Sequence, residues 1–395
     1  MSLLSNTLKR YDLPQQIEAA GIYPYFRPIA SDQDTIVTIE GKQVLMFGSN
    51  SYLGLTNHPK LIEGAIKAIE KYGTGCAGSR FLNGTLDIHL ELEEKLAKLV
   101  GKEEALVYAT GFMVNSGVVP CLTGREDYII IDEFDHASII EGRRLSFSKH
   151  FKFRHNDMDS LEKVLKQCNP DKIKLIVVDG VFSMEGDITK LPEIVELSKK
   201  YNASIMVDEA HSLGIFGKTG AGICEHFNAT PDVDLIMGTF SKSLGTIGGF
   251  IAADKHIINY LKHNSRTLLF SASITPASTG CVLAALDVMA EETWRKDKLW
   301  ENTARAKEGF LKAGFEIGNT ESPIIPLFVR DNYKTFKLTR MLMDDGVFVN
   351  PVVAPAVPPE DTLIRYSLMA THTFEQIDES IEKISKISRE LGIIE

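Results

Sequence analysis

Short apolar runs that end in polar residues alternate with amphipathic helical patterns along most of the chain. The runs are EALVYATG, DYIIID, IKLIVVDG, ASIMVDEAH, DLIMGTF and GGFIAAD. Such runs are typical of strands buried on both faces, and the helical patterns between them include PKLIEGAIKAIEKYG and LPEIVELSKKYN. On the first of these helices we expect a core face made of Leu61, Ile62, Ala65, Ile66 and Ile69. The alternation predicts an α/β fold with a mainly parallel sheet and helices on both faces.

The pattern of the sequence no longer alternates short apolar runs with helices after about residue 285. A charged helical region leads to the segments SPIIPLFVR, GVFVNPVVAPAVPP and LIRYSLMA. A final helix follows, with Ile377, Ile381, Ile384 and Ile387 at the spacing of a core face. The prolines of VNPVVAPAVPP predict a rigid connection and not a central strand. We therefore expect an N-terminal segment at 1–50, a large domain at 51–285 and a small α+β domain at 286–395.

Charge and cysteine usage exclude several classes of function. The 395-residue chain has 43 basic and 53 acidic residues, a net charge of -10, which argues against a nucleic-acid partner. Its five cysteines never form a CxxC pair, so neither a disulfide framework nor a zinc site is indicated, and a cytoplasmic location is favoured. The sequence contains no run of 18 apolar residues, so it predicts no membrane-spanning helix. An amphipathic N-terminal helix leaves open a peripheral contact with the inner face of a membrane.

Two phosphate-binding motifs are present only in part. The segment GTGCAGSRFLNG has glycines at Gly73, Gly75 and Gly78, but it follows a helical pattern where a dinucleotide fold requires a strand. Residues 217–219 read GKT, as at the end of a Walker A loop, yet the first glycine of that loop would fall at Ser212. A nucleotide-binding enzyme is therefore not favoured.

Polar residues at strand ends are the first candidates for a site, because ligands of parallel α/β sheets bind beyond the carboxyl ends of the strands. Asp208 and His211 follow one predicted strand, and Lys242 follows the next, 34 residues after Asp208. The structural alternatives are that Asp208 only caps a turn and that Lys242 lies on a surface loop. Together they fit pyridoxal phosphate (PLP), which needs a lysine for its covalent link, an acid at its ring nitrogen and donors for its phosphate.

The remaining cofactor contacts follow from this hypothesis. Thr239 and Ser241, with the backbone N–H groups of Gly111 and Phe112 at the start of a helix, are candidates for the phosphate. His211 can donate to the phenolic oxygen of the ring, with Ser183 as a second contact.

Two further residues are candidates for catalysis and substrate binding. His136, just beyond a strand end, has the flat ring needed to stack on the cofactor, although a lone histidine is more often structural. Arg365 lies between apolar residues, where a guanidinium needs an anionic partner. That partner is either a structural carboxylate or the carboxylate of a substrate, held by two hydrogen bonds.

Taken together and in order, seven motifs resemble the α-oxoamine synthases, which are PLP enzymes of fold type I. They are MFGSNSYLGL, YGTGCAGSRFLNGT, ATGFMVNSG, DHASIIEG, VDEAHSLGIFG, GTFSKSLGTIGGF and IRYSLMATHT. The resemblance extends from about Phe26 onward. It implies condensation of an amino acid with an acyl-CoA with loss of carbon dioxide, and a homodimer with active sites at its interface. It also implies that Asn50 and Tyr52 line the substrate pocket and that Ser271 reaches the phosphate of the neighbouring site.

Four activities of this family compete: serine palmitoyltransferase, glycine acetyltransferase, 8-amino-7-oxononanoate synthase and 5-aminolevulinate synthase. Ser241 and Ser243 flank the lysine and favour the first, because the other three usually carry glycine before it. This implies L-serine and a long-chain acyl-CoA as substrates and 3-ketodihydrosphingosine as product. Lys242 would be the base, and His136 and Arg365 would bind the serine carboxylate.

Several points stay open at this stage. The motifs do not decide between serine, glycine and alanine, nor do they give the acyl length. Glu209 stands where similar bacterial enzymes carry Asp, and we expect it not to touch the ligand. A non-catalytic subunit with the same fold is the alternative from another class, and the presence of Lys242 argues against it.

Overall fold

The computed structural model describes residues 2–354 and 356–395. The helices of these residues are α1 (Leu3–Leu8), α2 (Leu13–Ala19), α3 (Pro59–Tyr72), α4 (Asp87–Val100), α5 (Gly111–Leu122), α6 (Ala137–Leu145), α7 (Met158–Leu165), α8 (Leu191–Tyr201), α9 (Ile223–His226), α10 (Lys255–Asn264), α11 (Arg266–Leu269), α12 (Pro276–Glu291), α13 (Trp294–Lys312), α14 (Asn332–Asp344) and α15 (Phe374–Glu390). Short 3₁₀ helices lie at Thr230–Asp232 and Pro359–Asp361.

The strands form three sheets. They are β1 (Ile36–Ile39), β2 (Lys42–Met46), β3 (Glu104–Tyr108), β4 (Tyr128–Asp132), β5 (Lys149–Phe153), β6 (Lys174–Asp179), β7 (Ser204–Asp208), β8 (Leu235–Thr239), β9 (Gly249–Ala253), β10 (Ile324–Phe328), β11 (Val347–Phe348), β12 (Asn350–Val352) and β13 (Leu363–Ser367).

The described residues divide into two compact units. One unit contains those of Met1–Ser49 and Glu301–Glu395, and the other is Asn50–Trp300. The N-terminal segment joins the C-terminal region because β2 pairs with β11. The larger unit extends past the expected boundary at 285 because α12, which ends at Glu291, packs along α3.

The larger unit contains a seven-stranded sheet with the strand order β3-β9-β8-β7-β6-β4-β5. Only β9 is antiparallel to its neighbours, and the other adjacent pairs are parallel. Strands β4, β6 and β8 are buried at every position, as expected of strands covered by helices on both faces. In the register of the central pair, Asp179 at the end of β6 lies opposite Asp208 at the end of β7. The sheet therefore brings the polar strand ends together at one edge.

Helix α3 forms where the sequence predicts it, and Leu61 of the expected core face is buried, but the prediction is wrong for the three isoleucines. Ile62, Ile66 and Ile69 are 50%, 49% and 40% exposed, whereas Leu61 and Ala68 are buried. The helix instead contacts α12 through glycine, since a methyl group added to Gly64 would lie 2.6 Å from the carbonyl oxygen of Gly280. The face toward α12 is consequently the one that carries Gly64 and Ala68.

The smaller unit has two three-stranded sheets, β1-β2-β11 and β10-β13-β12. Helix α15 buries Ile377, Ile384 and Ile387 of its predicted core face, and Ile381 is half-buried. The proline-rich segment contributes β12, an edge strand beside β13, and Pro355 lies outside the described residues. Across residues 2–354 and 356–395, no helix is both long enough and apolar enough to cross a membrane.

Candidate active site

A cavity of about 320 Å³ lies at the carboxyl ends of the parallel strands in the larger unit. Eight of the residues predicted from the sequence line it: Gly111, Phe112, His136, Asp208, His211, Thr239, Ser241 and Lys242. The sheet explains this convergence, because β7 and β8 are adjacent and parallel and therefore end side by side.

Lys242 lies in the turn between β8 and β9 and is half-buried. The turn is fixed by Thr239, whose hydroxyl donates to the carbonyl oxygen of Gly248 at 3.0 Å. Ser241 Oγ lies 3.0 Å from Thr239 Oγ1, so the two hydroxyls are neighbours on the cavity wall. The wall thus presents an amine and two hydroxyl groups within one short turn.

Asp208 is only 2% exposed, and its carboxylate is held by hydrogen bonds. Asn115 Nδ2 donates to Asp208 Oδ2 at 2.7 Å, and the backbone N–H of Ala210 donates to Asp208 Oδ1 at 2.9 Å. Burying a carboxylate costs free energy unless it is hydrogen-bonded, and these two hydrogen bonds offset that cost. The side chain of Asp208 is therefore held in one position on the cavity wall.

The first turn of α5 lies unusually close to the end of β8. Thr110 caps the helix, accepting the N–H of Met113 at 3.1 Å. A methyl group added to Gly111 would lie 2.8 Å from Thr239 Oγ1, and one added to Gly249 would lie 2.8 Å from Gly111 Cα. Glycine at both positions lets the helix N-terminus, with its unpaired N–H groups, adjoin the hydroxyls of the β8 turn. This pairing of donors suits a phosphate group.

His136 precedes α6 and is held in one orientation. Its Nδ1 accepts the N–H of Ser138 at 3.2 Å and lies 2.7 Å from Ser138 Oγ, which itself accepts from Asn115 Nδ2 at 2.9 Å. Since Ser138 Oγ already accepts from Asn115, its hydrogen is available for Nδ1, and the ring proton belongs on Nε2. The pKa of His136 is lowered by desolvation, with Asp208 opposing and Lys242 reinforcing the shift. The ring is thus a neutral donor through Nε2.

The backbone of His136 is also fixed, because its N–H donates to Asp179 Oδ2 at 2.7 Å. Burial and the nearby Asp208 raise the pKa of Asp179 well above its ordinary value, although the hydrogen bond from His136 acts in the opposite direction. Asp179 lines the cavity as well. It therefore connects the end of β6 to the residue that begins α6.

His211 is bound by a residue from the N-terminal part of the same unit. Tyr52 Oη and His211 Nδ1 are 2.7 Å apart, and both side chains are buried. Tyr52 Oη also lies 3.4 Å from Asn50 Oδ1. The predicted pair Asn50 and Tyr52 thus lies behind His211, and neither is among the residues that line the cavity.

Three other predicted residues are not among those that line the cavity. Ser183 is half-buried in the turn after β6, and Ser271 Oγ lies 3.8 Å from Met113 Sδ. Ser271 is expected to serve a second copy of the chain, so its role stays a prediction. Arg365 belongs to β13 of the other unit, where it is 4% exposed and its Nη1 donates to Ser367 Oγ at 2.7 Å. Its role toward a substrate also stays a prediction.

Glu209, next to Asp208, turns away from the cavity. Its carboxylate accepts the N–H groups of Ile223 and Cys224, each at 2.8 Å, and the hydroxyl of Ser212. Burial raises the pKa of Glu209, while these hydrogen bonds lower it. The longer side chain thus caps the start of α9, and Glu209 is not among the lining residues.

The residues present fit PLP. Lysine and a buried acid face one cavity, and glycine at 111 keeps open a cradle that a Cβ would fill. Sequence reasoning assigned no role to Asn115 or Ser138, which link Asp208 to His136. A signal was available, because Asn115 is a polar residue within the apolar pattern of α5 and such buried polar groups need partners.

Comparisons with known proteins agree with this geometry. A family model described as aminotransferase class I and II matches residues 42–384. A serine palmitoyltransferase of Bacteroides thetaiotaomicron is 62% identical over 394 residues and covers 100% of both chains. An 8-amino-7-oxononanoate synthase of Treponema denticola is 42% identical over 381 residues and covers 96% of each chain.

A solved structure of SPT with its PLP internal aldimine matches with a TM-score of 0.96 and 33% identity, covering 100% of both chains. The predicted fold and cofactor are therefore confirmed. The chain belongs to the aminotransferase class I and II family and is a PLP-dependent enzyme of fold type I.

Proposed function

We propose that the chain condenses L-serine with a long-chain acyl-CoA such as palmitoyl-CoA, the serine palmitoyltransferase reaction. The products are 3-ketodihydrosphingosine, CoA and carbon dioxide. The observation that carries this proposal is the common cavity of Lys242 and Asp208 at the ends of β8 and β7. The choice of serine and a long acyl chain is supported by the 62% identical relative over its whole length.

Each wall of the cavity has a role in holding the cofactor. Lys242 Nζ would hold PLP covalently, and Asp208 would keep the ring nitrogen protonated. Thr239, Ser241 and the first turn of α5 would bind the phosphate, because hydroxyls and unpaired N–H groups lie together there. When bound, PLP withdraws the electron pair left on Cα of the amino acid.

The same residues can orient serine and move its proton. His136 donates from Nε2 while neutral, so it can bind the serine carboxylate without an ion pair. Lys242 Nζ, once released by the incoming amine, is the base that removes the Cα proton. Arg365 is the second group proposed for the carboxylate. The Cα carbon would then attack the thioester carbonyl, and CoA would leave as the C–S bond breaks. The Cα–carboxyl bond would break to release carbon dioxide, and a proton returned to Cα would complete the product.

We also propose that the active enzyme is a homodimer with active sites at its interface. Large apolar side chains are exposed in the larger unit: Phe81, Leu82, Phe112 and Phe270 are 55%, 77%, 50% and 77% exposed, and Phe112 also lines the cavity. Exposed apolar groups of this size are expected where a second copy covers them. In that dimer Ser271 would contact the neighbouring phosphate, and Asn50 and Tyr52 would adjoin the substrate pocket.

A cytoplasmic location, with peripheral contact at the inner face of the membrane, is the proposed setting. The five cysteines are free thiols, which suits a reducing compartment. Leu3, Leu4 and Leu8 of α1 are exposed and precede the cations Lys9 and Arg10. An apolar helix face beside basic residues favours binding to a membrane that contains anionic lipids.

The test is to titrate the visible spectrum of the holoenzyme with L-serine, glycine and L-alanine and to measure CoA release with palmitoyl-, acetyl- and pimeloyl-CoA. We expect serine with palmitoyl-CoA to be preferred, and Lys242→Ala but not the exposed-lysine control Lys218→Ala to abolish turnover. Preference for alanine with pimeloyl-CoA would move the assignment to 8-amino-7-oxononanoate synthase. Preference for glycine with acetyl-CoA would move it to the acetyltransferase. Full cellular function of Lys242→Ala would instead favour a non-catalytic subunit.

A further inference from the structure

His155 connects the carboxylates of Asp132 and Asp187. Its Nδ1 lies 3.0 Å from Asp132 Oδ1, and its Nε2 lies 2.8 Å from Asp187 Oδ2. Burial lowers the pKa of His155, but the hydrogen bonds to both carboxylates outweigh it and raise the pKa to about 10. Both ring nitrogens are therefore protonated at neutral pH and donate. His155 is not a lining residue of the cavity, so any effect on catalysis must act through its partners.

Asp132 ends β4 and begins the turn that leads to His136. Its Oδ1 also accepts the N–H of Phe134 at 2.9 Å. The ring of Phe134 stacks on the His155 imidazole, with ring centroids 4.5 Å apart and an interplanar angle of 21°. The side chain of His155 therefore contacts this turn twice, at the Asp132 carboxylate and at the Phe134 ring, and its backbone N–H donates to Glu133 Oε1 of the same turn at 2.9 Å.

The rest of the turn is fixed by two more carboxylates. Asp135 Oδ2 accepts the N–H of Asp132, and Asp135 Oδ1 accepts the N–H of Asp179, both at 2.9 Å. Asp179 Oδ2 in turn accepts the N–H of His136 at 2.7 Å. A continuous set of hydrogen bonds thus runs from His155 through the turn to the backbone of His136.

The buried carboxylates of this turn need hydrogen-bond donors. Asp132, Asp135 and Asp179 are at most 4% exposed, and burial followed by repulsion from Asp179 and Asp132 raises the pKa of Asp135 well above its ordinary value. A buried carboxylate that loses a hydrogen-bond donor is left unsatisfied, which is costly. His155 Nδ1 donates to Asp132, so loss of that hydrogen bond would let the acidic turn relax.

We propose that His155 is a positioning residue for His136, which acts by fixing the turn from Asp132 to His136 and hence the depth of the His136 ring in the cavity. The inference rests on the proposed function, in which His136 binds the serine carboxylate. A displacement of about 1 Å at a reacting group can lower the rate about a hundredfold. The effect on serine should therefore be large although His155 never touches it.

Two neutral substitutions separate the contacts of His155. In His155→Asn the amide nitrogen takes the place of Nδ1, so the bond to Asp132 is retained and that to Asp187 is lost. In His155→Gln the amide nitrogen takes the place of Nε2, so the bond to Asp187 is retained and that to Asp132 is lost. Phe134→Leu removes the stacked ring at a half-exposed position and tests the second contact from the other side. His150→Asn, at an exposed histidine of β5, is the matched control.

We expect His155→Gln to raise the dissociation constant of L-serine, read from the holoenzyme spectrum, about 10- to 100-fold and to lower kcat/KM similarly. His155→Asn should change the dissociation constant and kcat/KM less than about threefold. Phe134→Leu should change both in the same direction as His155→Gln, but by a smaller factor. Hydrogen exchange measured by mass spectrometry on the apoenzyme should accelerate in the peptide 132–140 for His155→Gln, with little change in His155→Asn or His150→Asn.

The exchange result decides the positioning role whatever the substrate is. Equal exchange in 132–140 for wild type and His155→Gln would overturn the inference, as would equal losses of serine affinity in His155→Asn and His155→Gln. If the wild type does not bind serine, the proposed function fails. Faster exchange in His155→Gln would then still support the positioning of His136.

Discussion

Replacing Gly111 by alanine would add a methyl group where the first turn of α5 approaches the end of β8. The added carbon would lie 2.8 Å from Thr239 Oγ1 and 2.9 Å from Thr239 Cβ, whereas ordinary contact begins near 3.4 Å. Neither neighbour can rotate away fully, because Thr239 Oγ1 is bonded to Gly248 and Thr239 Cβ is part of the strand end. The helix must therefore shift by roughly half an ångström.

The expected magnitude follows from this overlap. Overpacking of a buried site lowers the free energy of unfolding by about 1–3 kcal/mol. The displaced groups are also the proposed phosphate donors, so part of this energy should appear in cofactor binding. Since about 1.4 kcal/mol corresponds to a factor of ten, we expect the dissociation constant of PLP to rise about tenfold or more.

The assay is a titration of apoenzyme with PLP, followed by absorbance, together with urea unfolding of the apoenzyme. Gly75→Ala is the matched control, because a methyl group there meets no atom within 4 Å and Gly75 has no left-handed φ. It should leave both quantities nearly unchanged, within about 0.5 kcal/mol. If Gly111→Ala lost stability yet bound PLP as tightly as the wild type, the assignment of the α5 N-terminus to the phosphate would be refuted.

Lys242→Ala should lower CoA release by at least about 10³-fold, because it removes the base, and a smaller loss would place the base elsewhere. Asn115→Ala removes the 2.7 Å hydrogen bond to Asp208. Bonds to charged groups contribute about 1.5–3 kcal/mol, so the PLP dissociation constant should rise about 10- to 100-fold in the absorbance titration. The folded-state pKa of His155, about 10, exceeds its ordinary value of 6.5. Its stabilisation is therefore complete below pH 6.5 and lost as pH rises toward 10, so the urea midpoint should fall more steeply across that window in the wild type than in His155→Asn.

Much of the site could be predicted because it depends on local pattern. Apolar runs buried on both faces must be central strands, and parallel strands end at one edge, so Asp208 and Lys242 were expected to converge. Strand order could not be predicted in this way. In the sheet β9 lies between β3 and β8, although β3 and β9 are separated in sequence by more than half the length of the larger unit. Apolar periodicity does not encode which strands become neighbours.

The features that the sequence did not reveal have a common physical cause, since each depends on a contact distant in sequence. Ile62 and Ile66 were expected in the core, but the contact of Gly64 with Gly280 turns the face with Gly64 and Ala68 toward α12. Asn115 gained its role only when α5 packed beside the end of β7. The N-terminal segment joins the C-terminal region because β2 pairs with Val347 and Phe348 of β11.

The pairing of β3 with β9 has a consequence for how the chain is made. Tyr108 ends β3, and its partner Gly249 is synthesised about 140 residues later. At about 5–20 residues per second, an emerging chain waits roughly 7–30 s with this apolar strand unpaired. β3 has no other strand neighbour in the described sheet, so it is exposed to aggregation throughout that interval. The lysine turn joins β8 to β9, so the site is complete only when the last strand of the sheet has been added.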